Sequence, residues 1–83
     1  MGQQDFDRKQ LQAAYDAFNA AFEREADKSG AYGLRSVFKE EGADLIEAAV
    51  GHPKWLELRE AVSRQDRGAI GVLVNCMLDR SAA

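Results

Sequence analysis

The chain has 83 residues, 46% of them hydrophobic and 30% charged, with a formal net charge of -3; this is one domain of ordinary globular balance, which excludes a second domain and wholesale disorder. A single cysteine, Cys76, excludes an internal disulfide, and Cys76 with the lone His52 is too small a ligand set for structural zinc. Acids and bases are interspersed, eight against six in residues 1–42 and six against five in residues 43–83. No basic stripe marks a phosphate footprint, and no acidic block imitates nucleic acid.

The start, "MGQQDFDRKQ", is polar and has no signal-peptide core, and Phe6 stands where a myristoylation motif needs Ser or Thr. With an unpaired cysteine in an apolar stretch, this points to a soluble, cytoplasmic chain. One proline and few β-branched runs favour helices over strands. Asp7 followed by Gln10 resembles a capping box, with Phe6 and Leu11 spaced as a hydrophobic staple. Leu11, Tyr15, Phe18 and Phe22 then recur at spacings of four, three and four, beside a strip of Ala13, Ala17, Ala20 and Ala21. Gln12, Asp16, Asn19 and Glu23 fall toward water. A first helix is predicted over residues 7–28, with Gly30 as its stop.

The following stretch alternates Asp27 and Ser29 like a calcium loop. Tyr32 stands where that loop needs Gly, however, and Phe38 where it needs a bidentate Glu, so no metal site is expected. Leu34, Phe38, Leu45 and Ala49 keep helical phase through Gly42, predicting a second helix over 33–50. The competing possibility is a break at Gly42, with Asp44 and Glu47 opening a new helix. Gly51-His52-Pro53 is a boundary, and Pro53 suits the first position of a third helix over 53–65. Trp55, Leu58 and Val62 form its stripe, and Glu60 and Arg64 are spaced as an ion pair. Asp66 is the natural cap of a last helix over 67–80. The fold expected is an all-α, small compact bundle of about four helices, one domain over 1–83 with residues 1–5 and 81–83 frayed.

The last helix is unusual. Ala69, Ile70, Val72, Leu73, Val74, Cys76, Met77 and Leu78 cover roughly two thirds of its circumference at about 100° per residue, leaving a strip of Gly68, Gly71, Asn75 and Asp79. The uncharged run is about half the ~20 residues of a membrane span. Either this helix is central, walled in by the other three, or it shares its surplus apolar face with a second copy of the chain. A homodimer is expected.

No phosphate loop or dinucleotide motif occurs. Cys76 reads as a core residue, with nothing electropositive beside it to stabilise a thiolate, and no catalytic site or cofactor is expected. Residues 44–67 could form a helix-turn-helix with Lys54, Arg59, Arg64 and Arg67, but Glu57, Glu60 and Asp66 interleave with those bases. What remains is a non-catalytic protein-binding module, such as a small regulator, inhibitor or accessory subunit of a larger protein. A DNA-binding regulator is the alternative, and a thiol-dependent enzyme a minor one. Tyr32, Ile46, Val50, Leu56, Ile70 and Val74 are the apolar residues expected to meet a partner.

Overall fold

The computed structural model describes residues 6–28 and 31–79, of residues 31 and 32 the backbone alone. Over the described residues the chain is an all-α bundle of four helices, α1 (Arg8–Lys28), α2 (Ala31–Ala49), α3 (Trp55–Ser63) and α4 (Arg67–Met77). The ends expected to fray, the stop at Gly30 and the side chain of Tyr32 lie outside the described residues.

Asp7 caps α1, its Oδ1 accepting from the Lys9 N–H at 2.9 Å. Phe6 folds back onto the core, edge-on to His52 with ring centroids 4.9 Å apart. Leu11 and Phe18 are fully buried, with Tyr15 and Phe22 partly covered beside them. Of the alanine strip only Ala21 reaches the core. Phe38 of α2 meets Phe18 and Phe22 at centroid distances of 5.5 and 5.8 Å, and those two lie 6.1 Å apart. This spacing is that of favourable aromatic pairs and ties the two long helices together.

α2 runs unbroken through Gly42 and begins two residues earlier than the sequence predicts, with Gly33 inside its first turn. Packing against α1 outweighs the ~1 kcal/mol intrinsic penalty of a helical glycine. At Gly42 the missing side chain is itself required: a Cβ there would lie 2.7 Å from Val62 Cγ1 of α3. The glycine is a seat for α3.

Gly51, at φ 106°, ends α2 in a conformation that favours glycine. Pro53 does not open α3. The His52 carbonyl accepts from the Trp55 N–H at 3.1 Å, and His52 Nδ1 accepts from the Lys54 N–H at 3.0 Å. Pro53 is thereby held in a tight turn, and the first α-type bond, Leu58 N–H to the Lys54 carbonyl, comes later. α3 ends early at Ser63 because Gln65 turns left-handed at φ 56°. Gln65 N–H reaches the Val62 carbonyl and Asp66 N–H the Ala61 carbonyl, the two bonds of a Schellman motif.

Asp66 caps α4 as expected, accepting from the Ala69 N–H at 3.1 Å. α4 runs antiparallel to α1 and is pinned at both ends. Arg67 donates to Asn19 Oδ1 at 3.0 Å and lies 4.0 Å over the Phe22 ring. At the other end Arg8 bridges to Asp79 and donates to the Leu78 carbonyl. Asn19, expected to face water, is therefore a partner of α4.

The backbone of α4 runs beside α3 and α1 and, among the described residues, comes nowhere within 8 Å (Cα to Cα) of α2; with Val72 and Cys76 in solvent, it is not walled in on all sides. It turns Ile70, Val74, Met77 and Leu78 inward and leaves Val72 and Cys76 in solvent. The expectation that Cys76 is a core residue is corrected: a helix packed on two neighbours covers only one side of its apolar arc. Gly71 and Asn75, on the strip that the apolar arc leaves over, are half covered. Gly71 leaves room for the Tyr15 hydroxyl, which would stand 3.0 Å from a Cβ there.

Candidate functional site

The helices leave open grooves along their seams, and the residues singled out by sequence are distributed among them. Between the start of α1 and the end of α2 lies a groove of about 760 Å³, floored by Ala13, Ala14 and Ala48, with Val50 at one end and Asp44 and Glu47 on its rim. Between α2 and α3 lies a second, of about 460 Å³, lined by Phe38, Ile46 and Val62 with Arg35, Lys39, Ser63 and Gln65 around them. A third, along the outer side of α3, holds Leu56 among Glu57, Arg59, Glu60 and Arg64.

Val50 and Leu56 are 43% and 55% exposed, and Ile46 is half-buried against the core. The structure does not gather these three into one patch, since each lines a different groove. Ile70 and Val74 have no accessible surface and contact the chain's own interior. A residue with nothing exposed cannot meet a partner, so the outward apolar residue of α4 is Val72, 70% exposed, one that sequence left out of the set. The signal was present in the helical arc, but which third of that arc faces outward depends on where α1 and α3 sit.

The bases of residues 44–67 are largely engaged. Lys54 Nζ lies 3.7 Å from Glu57, Arg64 lies 4.0 Å from Glu60, and Arg67 is folded onto α1, 3.7 Å from Glu23. Arg59 alone of the four has no acid within ion-pair distance among the described residues. Exposed pairs of this kind contribute little to stability, but they lower the positive potential a phosphate backbone would meet. Cys76 and His52 share no hydrogen bond: the imidazole faces Phe6 and the Lys54 N–H, while the thiol is on the outside of α4. No group of His, Cys, Asp and Glu among the described residues could hold a metal ion, and no described helix is long and apolar enough to cross a membrane.

Arg35 and Lys39 went unremarked in the sequence, although their pattern is legible there. They lie one turn apart with no acid three or four residues to either side, a repulsive i,i+4 spacing. No family model, curated protein or solved structure matches the chain.

Proposed function

We propose that the chain is a non-catalytic protein-binding module, a small regulator, inhibitor or accessory subunit that acts on a larger protein. The observation that carries this reading is the set of large aliphatic side chains, Val50, Leu56 and Val72, held in solvent on rigid helices or their ends. Hydrophobic surface on a fold this small has a thermodynamic cost that a partner removes. Self-association is part of the same reading: the outer side of α4 carries Val72, with Ala69 and Leu73 half covered beside it. A second copy there would supply buried area that so short a chain lacks. The exposed thiol of Cys76 suits a reducing compartment, and the cytoplasm is proposed as its location.

The test uses the full chain as bait in a lysate of its source cell, beside Leu56→Lys and Val72→Lys variants. A protein retained by the parent and lost from one variant is expected. Retention of no protein by the parent overturns the reading, and so does retention of duplex DNA with steep salt dependence; identical retention by all three baits places the contact away from Leu56 and Val72. Sedimentation equilibrium across micromolar concentrations tests the self-association; a 9.2 kDa species throughout refutes it.

A further inference from the structure

Resting on the protein-binding reading, we propose that the groove between α2 and α3 receives an acidic segment of the partner, with a large apolar side chain seated on Phe38, Ile46 and Val62 and carboxylates meeting Arg35 and Lys39. The groove, at about 460 Å³, is within the ~300–1,000 Å³ range in which proteins receive small ligands. Its floor is apolar, with Phe38 and Val62 each 7% exposed and Ile46 partly covered. Among the described residues its rim carries two cations and no acid.

The cations are the telling feature. Arg8, Arg24, Lys54, Arg64 and Arg67 each stand within 4.0 Å of a carboxylate. Among the described residues Lys9, Lys28 and Arg59 do not, but only Arg35 and Lys39 stand together in one groove whose described lining holds no acid. Arg35 and Lys39 have no ion pair among the described residues and repel each other across one helical turn. Stability gains nothing from that spacing, whereas a carboxylate placed between them would be held by both. Gln65 points the same way. Its left-handed backbone, at φ 56°, occupies the helix-ending position where glycine is favoured, yet the residue there carries an amide that lines this groove. A non-glycine residue is uncommon in that conformation, and its amide can donate to a carboxylate or to a peptide carbonyl. An apolar floor with charges confined to one rim suits an anchored peptide segment; tracking a nucleic-acid backbone takes a longer run of cations.

Two substitutions separate this role from a structural one, because each should strengthen the fold while weakening binding. Arg35→Glu creates a favourable Glu-to-Lys pair with Lys39, and Gln65→Gly relieves the left-handed backbone. A random-peptide display library is panned on the full chain, and the most enriched peptide is synthesised and titrated against the parent and both variants. Enrichment of a large apolar residue flanked by Asp or Glu is expected. Binding should fall about ten-fold in Arg35→Glu, the scale of rim-charge effects. It should also fall measurably in Gln65→Gly, with both variants melting at or above the parent temperature. Arg59→Glu, on the outer side of α3, should bind as the parent does. Enriched peptides that are basic, or that bind Arg35→Glu as well as the parent, overturn the inference and leave the protein-binding reading intact. Retention of duplex DNA or phosphatidylserine vesicles that is lost in Arg35→Glu, with no acidic peptide bound, also overturns it and assigns the cations to phosphate. Failure to enrich any peptide counts against it as well, and the bait experiment above then decides the parent reading separately.

Discussion

Gly42→Ala should destabilise this protein, against the ordinary effect of that substitution. An alanine in the middle of a helix is favoured over glycine by about 1 kcal/mol, so an exposed helical position would gain. At Gly42 the new methyl would lie 2.7 Å from Val62 Cγ1 and 3.8 Å from its Cβ and Cγ2. Carbon atoms rest comfortably at about 3.5–4.0 Å, leaving an overlap of roughly an ångström to absorb. Val62 is β-branched, stiff at χ1 and 7% exposed, so it cannot swing away. Overpacking of this kind costs about 1–3 kcal/mol; set against the propensity gain of about 1 kcal/mol, the net loss is about 0–2 kcal/mol, near the upper end for so short an approach. Urea denaturation followed by circular dichroism, with the slope shared between parent and variant, reads that loss as a lower midpoint. The clash is isolated by repeating the substitution in a Val62→Ala background. Val62→Ala alone costs about 2 kcal/mol through its cavity, but Gly42→Ala added to it should now stabilise, by up to ~1 kcal/mol. The coupling between the two positions is then about 1–3 kcal/mol, the overpacking cost itself, as expected for residues in direct contact. A Gly42→Ala variant more stable than the parent, or one with the same effect in both backgrounds, refutes the close approach of α2 and α3.

Phe18→Ala removes the fully buried ring that meets both Phe22 and Phe38; at about 3–5 kcal/mol against a total near ~5, it should largely unfold the domain, and a variant that melts like the parent shows that this face is not core. Asp66→Ala removes the acceptor for the Ala69 N–H and should lower stability by about 1 kcal/mol, read as faster amide exchange in the first turn of α4; unchanged exchange there refutes the cap. Gly51→Ala forces a side chain onto a φ of 106° and should cost about 1–2 kcal/mol in the same denaturation assay, so an unchanged midpoint would contradict that backbone. Val72→Glu should keep parental helicity and dissociate any dimer, whereas Val74→Glu, buried at that position, should unfold the chain; equal effects on both would place the outer side of α4 wrongly.

The number of helices, their order and most of their inward residues were determined by local pattern alone. Leu11, Phe18, Phe38, Leu45, Ala49 and Leu58 recur at helical spacing, and a helix that buries one stripe must place those residues inside wherever its neighbours lie. Asp7 and Asp66 were legible as caps for the same reason: capping is a contact within one turn. Pro53 was misplaced because its turn depends on His52, whose ring both accepts the Lys54 N–H and stacks edge-on with Phe6, a residue brought there only by the fold. The tertiary structure decided everything that depends on which neighbour stands opposite. Gly42 is a break in one sequence and a packing seat in another, and only Val62 of α3 distinguishes them. The run from Ala69 to Leu78 is apolar on most sides, so its own pattern could not say which part is core; two neighbours cover Ile70 and Val74 and leave Val72 and Cys76 outside. The same holds for the grooves. Ile46, Val50 and Leu56 were visible as surplus apolar residues, but their separation into three grooves, and the pairing of Ile46 with Arg35, Lys39 and Gln65, arise from the packing of α1, α2 and α3, a relation between distant segments that no local periodicity encodes.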